Sequence, residues 1–284
     1  GDLYSEQQIA AEKMLYNDIG VLAAATAFGK TVLGAYLIAE KKVNALVLVH
    51  NVEIMNNWIK DLSSFLTINE ELPTYTTPKG RVKKRSSLIG TFSSQKDSTT
   101  GIIDIAMITS LGREDNINEL VRNYGMVIVD ECHHAAAVTH ENVLRAVTAR
   151  YVYGMSATIN RGDKQDKKMF MQLGPIRHRY TAKERAQKQG IGHYIYPRFT
   201  RLVDLNQSED KNPSDYYRLI MQSELRNMQI VSDVIDCVKR GRTPVVMTKY
   251  KEHAQKLYDM LQGVADHVFL LQGGKSLKER SAIR

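Results

Sequence analysis

Two clusters of residues, 100 positions apart, could act together on a phosphoanhydride. The first is Thr26-Ala27-Phe28-Gly29-Lys30-Thr31, set between an apolar run, Ile19–Ala25, and a stretch of helical character, Thr31–Lys42. A loop that opens a helix turns free backbone N–H groups and the positive end of the helix dipole toward an anion. The Lys30 ammonium is then placed for the β- and γ-phosphates of a nucleotide, and the Thr31 hydroxyl for Mg²⁺. The full phosphate-loop pattern has Gly where this chain has Ala24, so the match is incomplete. The second cluster is Asp130-Glu131, delivered by the apolar run Met126–Val129. Nucleotide hydrolysis needs one carboxylate for the hydration shell of the metal and another to polarise the attacking water.

Cys132-His133-His134, with His140 nearby, raises a zinc reading. No Cys-x-x-Cys pair accompanies it, and position 144 is Leu where a zinc-protease helix would need a second His. The alternative is one histidine that reads the state of the neighbouring nucleotide site, with the others exposed near the loop.

These clusters need elements to hold them. Ile19–Ala25, Ala45–Val49, Ile102–Ile108, Met126–Val129 and Tyr151–Met155 read as strands, with Thr31–Lys42, Glu53–Phe65 and His140–Thr148 as helices between them. Nearly continuous apolar strands alternating with helices predict a parallel sheet covered on both faces. In such sheets ligands bind beyond the carboxyl ends of the strands, where both clusters would lie. Residues 69–101, rich in Ser, Thr, Lys and Gly, read as a less regular insertion. Later, Thr181–Gln189 is helical and Tyr194–Val203 extended. Ser214–Lys239 reads as helices broken near Arg226, followed by a strand–helix–strand series: Pro244–Thr248, Glu252–Leu261, His267–Leu271. The expected domains are therefore residues 1–190 and 191–284. Trp58, on the apolar face of its helix, reads as core rather than as a platform for stacking bases.

The chain has 284 residues, with 39 basic and 31 acidic side chains and a net charge of +8. That length passes the roughly 250–300 residues at which one core stops growing, which favours two domains. Two segments carry more than all the excess charge: Lys79–Arg85 has five cations and no acid, and residues 161–190 have nine against three. Concentrated cations suit a polyanionic partner, because neutralised phosphates release condensed counterions. The composition, 43% hydrophobic and 25% charged, excludes wholesale disorder and collagen-like sequence. No apolar run reaches the roughly 18 residues of a membrane span. With only two cysteines, a reducing cytoplasmic location is expected. The first residue is Gly, with no basic-then-apolar leader behind it, so the natural chain is expected to begin upstream.

Taken in order, these blocks resemble the superfamily 2 DExH-box helicases and translocases, in the XPB-like and restriction-subunit (Res-type) branch. Thr26–Thr31 is similar to motif I, Asp130-Glu131-Cys132-His133 to motif II and Ser156-Ala157-Thr158 to motif III. Leu3–Gln8 resembles the glutamine motif, Leu46–Asn51 with Trp58 motif Ia, Ile108–Leu111 a motif Ib-type segment, and Phe170–Pro175 the stretch after motif III. The resemblance implies a RecA-like P-loop NTPase domain of α/β class with a mostly parallel sheet, followed by a partial second RecA-like domain.

It also implies ATP and Mg²⁺ as cofactors. Thr26, Ala27, Phe28, Gly29 and Lys30 would bind the phosphates, Thr31 and Asp130 would hold Mg²⁺ through water, and Glu131 would activate the nucleophile. Gln7 would read adenine. His133, Ser156 and Thr158 would couple the nucleotide to nucleic acid, which Asn51, Thr109 and Ser110 would contact. The implied activity is that of an ATP-driven motor on duplex or single-stranded DNA, with RNA remodelling or a nucleotide-gated clamp without turnover as alternatives. Nuclease, restriction or repair subunits are the expected partners.

Two departures qualify the match. Ala27 stands where the family often has Gly, and so should avoid positive φ, while Asn51 replaces the usual Thr or Arg. Motifs V and VI, with their arginine finger, do not occur in these residues, so weak hydrolysis is expected of them.

Overall fold

The computed structural model describes residues 3–113, 116–133, 138–157, 164–188, 190, 192, 194–200 and 212–272. The chain divides into two compact units, Gly1–His193 and Tyr194–Arg284.

In the first unit α1 (Ser5–Leu15) leads into β1 (Ile19–Ala24), α2 (Lys30–Lys41), β2 (Ala45–Val49) and α3 (Val52–Phe65). Two antiparallel pairs follow, β3 (Thr74–Thr76) with β4 (Val82–Lys84) and β5 (Ile89–Ser93) with β6 (Lys96–Asp97). Then come β7 (Ile103–Met107), the short pair β8 (Gly112–Arg113) and β9 (Asn116–Ile117), and β10 (Met126–Asp130). The unit closes with α4 (Val138–Arg145), β11 (Tyr151–Ser156), α5 (Lys164–Leu173), β12 (Ile176–Tyr180) and α6 (Ala182–Lys188).

Eight strands form one sheet in the order β12-β1-β11-β10-β2-β7-β5-β6, parallel throughout except at the β5–β6 edge. Alternation along the strands sends side chains to two separate cores. Leu22, Val47, Ile105, Ile128 and Met155 face α1, α2 and α3, where Met14, Leu33, Leu37, Trp58 and Leu62 are buried against them. Val21, Leu46, Leu48, Val127 and Val129 face the other side, against Val143 and Leu144 of α4 and Met169 and Leu173 of α5. Burial on both faces explains why these strands are apolar without interruption.

The expected insertion at 69–101 is more regular than its composition suggests, since it contains the β3–β4 hairpin and supplies β5 to the main sheet. A buried acid fixes this region. Asp104, fully buried, accepts from the backbone N–H of Thr100 (2.8 Å) and Gly101 (2.7 Å), from Thr100 Oγ1 (3.2 Å) and from Tyr124 OH (2.6 Å).

The second unit contains α7 (Pro213–Gln222), α8 (Glu224–Lys239) and α9 (Lys251–Met260). Pro213 at the first helical position and the Asn212 side chain, which accepts from Ser214 N–H (2.9 Å), start α7. The break falls at Ser223 rather than near Arg226, because Ser223 has left the helical region with ψ 107°. Pro244–Thr248 and His267–Leu271 were expected as strands. No strand occurs among the described residues of this unit. Val245, Met247, Phe269 and Leu271 are all exposed. A β-rich sequence gains its ladder bonds and packing only from adjacent strands, so local propensity alone does not form one.

Candidate nucleotide site

Parallel strands deliver their carboxyl ends to one edge, and register makes those ends level. β11 lies between β1 and β10, with Ala23 opposite Ser156 and Asp130 opposite Met155. The loop after β1, the acids ending β10 and the serine ending β11 are thereby neighbours.

The loop itself is built on two left-handed residues. Gly29 (φ 86°) precedes α2, and Ala27 has φ 60°. The expectation that Ala27 avoids positive φ is corrected here: the turn needs that conformation, and the surrounding contacts impose it on a residue that resists it. Gly29 has a second reason to lack a side chain, because a Cβ there would lie 2.4 Å from Gln7 Nε2. Among the described residues no side chain caps α2, in contrast to α3, where Asn51 accepts from Ile54 N–H at 2.8 Å.

Lys30 Nζ donates to Glu131 Oε1 at 2.8 Å, with the two side chains 13% and 23% exposed. Burial pushes the Glu131 carboxyl up. The Lys30 hydrogen bond and charge, the Ala157 backbone N–H and His133 outweigh burial and hold it below the ordinary carboxylate range. Glu131 also sits at positive φ, 46°, a strained conformation of the kind that collects at functional sites. His133 Nδ1 is 2.8 Å from Ser156 Oγ and 3.4 Å from Glu131 Oε2. Asp130 Oδ1 accepts from Glu131 N–H (2.9 Å), and Oδ2 accepts from Trp58 Nε1 (2.8 Å). Between Glu131 and His133, Cys132 is fully buried in the opposite core, and burial pushes its thiol up.

The structure thus brings Lys30, Asp130, Glu131, His133 and Ser156 together through direct contacts or adjoining strand ends. Thr31 is half-buried in the first turn of α2, and Thr26 is exposed. Phe28 is buried, its ring 5.1 Å from that of Tyr180. Gln7 is buried with both ends of its amide engaged: Oε1 accepts from Tyr4 N–H at 3.1 Å and Nε2 donates to the Phe28 carbonyl at 2.8 Å. Each end keeps one further position, a second N–H and a second lone pair, with which the amide could meet a base.

Asn51, Thr109 and Ser110 stand at the same sheet edge but beyond the ends of other strands, Asn51 after β2 and Thr109 and Ser110 in a short 3-10 turn after β7. The Asn51 amide caps α3 and meets His50 Nε2 at 3.1 Å, and Ser110 Oγ accepts from Ser94 N–H at 3.0 Å. Thr109 is exposed. Thr158 lies outside the described residues.

Two contacts were not read from sequence. Trp58, expected only as core, is also the hydrogen-bond partner of Asp130. Arg185, counted within a basic segment, donates to the Thr26 carbonyl at 2.7 Å, while Lys188 on the same helix pairs with Glu6. The one sequence signal for the first contact was the position of Trp58 on the helix after β2, the strand beside β10.

Residues 1–161 match the family described as Type III restriction enzyme, res subunit. The chain belongs to that family. Its superfamily 2 character is shared with XPB-like relatives. The DNA 3′-5′ translocase XPB2 of Sulfurisphaera tokodaii is 22% identical over 187 residues, covering 66% of this chain and 38% of that protein. A protein of Acanthamoeba polyphaga mimivirus, "Putative ATP-dependent RNA helicase L396", is 25% identical over 182 residues, 63% of this chain and 32% of the other. The Res-type chain therefore spans about a third of the length of these relatives. Among solved structures, T4 UvsW is 14% identical with a TM-score of 0.48, covering 100% of this chain and 55% of the other. No helix among the described residues is long and apolar enough to cross a membrane.

Proposed function

We propose that these residues form the ATP-binding lobe of a helicase or translocase that moves on DNA. The observation that carries the reading is the Lys30–Glu131 contact at 2.8 Å, which joins the phosphate-type loop to the acidic strand end at one rim of the sheet. The groups present fit a nucleotide with its metal. A left-handed loop opens onto a helix start that no side chain caps, with an ammonium and two carboxylates beside it.

In this reading Gly29, Lys30 and the first-turn N–H groups of α2 hold the triphosphate, and Thr31 and Asp130 face Mg²⁺. Mg²⁺, when bound, neutralises charge on the β- and γ-oxygens. Glu131 orients the attacking water and accepts its proton, a role suited to a carboxylate kept ionised. His133 and Ser156 tie the acid of β10 to the end of β11, so a shift at Glu131 is passed to the neighbouring strand. Gln7 reads adenine with the N–H and the lone pair that its bonds to the Phe28 carbonyl and the Tyr4 amide leave over. The exposed cations Lys79, Arg81, Lys83 and Lys84 around the β3–β4 hairpin are suited to a phosphate backbone.

The test is ATP turnover by the whole protein with duplex DNA, single-stranded DNA and RNA in separate arms. Stimulation by DNA, abolished in Glu131→Gln, supports the reading. Stimulation by RNA alone moves the substrate to RNA, and nucleotide-dependent nucleic-acid binding with no turnover in any arm replaces the motor with a clamp.

A further inference from the structure

Trp58 is the only tryptophan in the chain, and its ring is 1% exposed. Packing alone would be served by Phe. What Trp adds is an N–H, and here that donor points at Asp130 Oδ2, 2.8 Å away and 72 residues distant in sequence. The other oxygen, Oδ1, accepts from Glu131 N–H at 2.9 Å. An ionised carboxylate has about four lone-pair positions, so two fixed donors orient the group and leave two positions for other ligands.

The space for the indole is also provided. Gly34 lies on α2, one turn past Lys30, and a Cβ at that position would fall 2.5 Å from Trp58 Cη2 and 3.5 Å from Met155 Cε. Gly inside a helix costs about 1 kcal/mol relative to Ala. Its presence here is explained by the ring lying against the α2 backbone. The phosphate-loop helix, α3 and β10 therefore meet at one side chain, whose polar atom ends on one carboxylate.

We propose that Trp58 is a positioning residue that holds Asp130 in the rotamer facing the metal of a bound nucleotide. The inference rests on the reading that Asp130 serves Mg²⁺. Partners that orient a metal-binding carboxylate from behind are worth about 10–100-fold in metal affinity. As Asp130 would act through water, Trp58→Phe is expected at the lower end, with about a tenfold rise in the Mg²⁺ concentration for half-maximal nucleotide binding.

The experiment titrates Mg²⁺ into the protein with a directly excited fluorescent ATP analogue, comparing wild type, Trp58→Phe and Lys30→Ala. It is paired with the Trp58 emission of wild type and Asp130→Ala. Trp58→Phe should shift the Mg²⁺ requirement while metal-free nucleotide affinity stays the same. Asp130→Ala, by removing the acceptor, should move the emission to shorter wavelength. Equal Mg²⁺ dependence in wild type and a folded Trp58→Phe overturns the inference. If Trp58→Phe does not fold, unchanged emission in Asp130→Ala overturns it instead. Failure of the nucleotide-site reading is a separate outcome, seen as undiminished nucleotide binding in Lys30→Ala.

Discussion

Lys30 and Glu131, 101 residues apart in sequence, are joined at 2.8 Å by the strand register of β1, β11 and β10. The same ammonium is assigned to the phosphates, so nucleotide must compete with Glu131 for it. Neutralising the competitor should favour nucleotide. Glu131→Gln is expected to tighten ATP binding modestly, about threefold, as suits a partly exposed ion pair, while turnover collapses. Calorimetric binding and a phosphate-release assay check the two halves. Weaker binding in Glu131→Gln contradicts the competition.

Ala27 gives a stability prediction of opposite sign to most substitutions. Its φ of 60° costs an L-residue about 1–2 kcal/mol, and Gly escapes that cost. Gly also gains entropy in the unfolded chain, which offsets about 0.4–1 kcal/mol. Ala27→Gly is thus expected to stabilise by about 0.5 kcal/mol, read from urea denaturation. A loss of 1 kcal/mol would show that the loop does not hold the strained conformation.

The buried acid of the insertion predicts a ranking. Tyr124→Phe removes one donor to Asp104 and should cost about 1.5 kcal/mol. Asp104→Ala strands two backbone N–H groups and the Tyr124 hydroxyl, while the Thr100 hydroxyl keeps the Leu88 carbonyl at 3.0 Å, and should cost about 3 kcal/mol or more. Denaturation of both variants measures the difference. Equal costs would mean that the turn at 100–101 does not depend on the carboxylate.

His253 in the second unit supplies the pH dependence. It is buried, with Asn227 Oδ1 2.9 Å from Nε2 and the Thr248 hydroxyl 2.7 Å from Nδ1. Burial, then the charges of Arg226 and Lys256, hold its pKa below 6.5. Because the folded pKa is depressed, this contribution is complete above the unfolded value, near 6.5, and is lost as pH falls through the folded one. The helical signal of α7–α9 should weaken with acid over that window and do so less in His253→Gln. NMR titration of the ring giving a midpoint above 6.5 contradicts the assignment.

Much of this arrangement was legible in the residues themselves. Ala45–Val49 and Met126–Val129 are apolar throughout because both faces of their strands are buried, and that pattern also located Asp130 and Glu131 at the end of one strand and Lys30 at the helix start that follows another. Contacts made in three dimensions were not legible. The Trp58 N–H reaches Asp130 only because β2 and β10 are neighbours, and the register that makes them so is not written locally. Positive φ at Ala27 and Glu131 likewise follows from the assembled rim rather than from residue preference. In the second unit the error ran the other way: Val245, Met247 and Phe269 carry β propensity, yet stand exposed with no strand formed.

The central claim is that one ligand engages Lys30 and Asp130 together. ATP affinity in the presence of Mg²⁺, measured for wild type, Lys30→Ala, Asp130→Ala and the double variant, tests it as a thermodynamic cycle. A shared nucleotide–metal site predicts large single losses and a double loss well short of their sum. Strictly additive losses, or affinity untouched by Lys30→Ala, would contradict it.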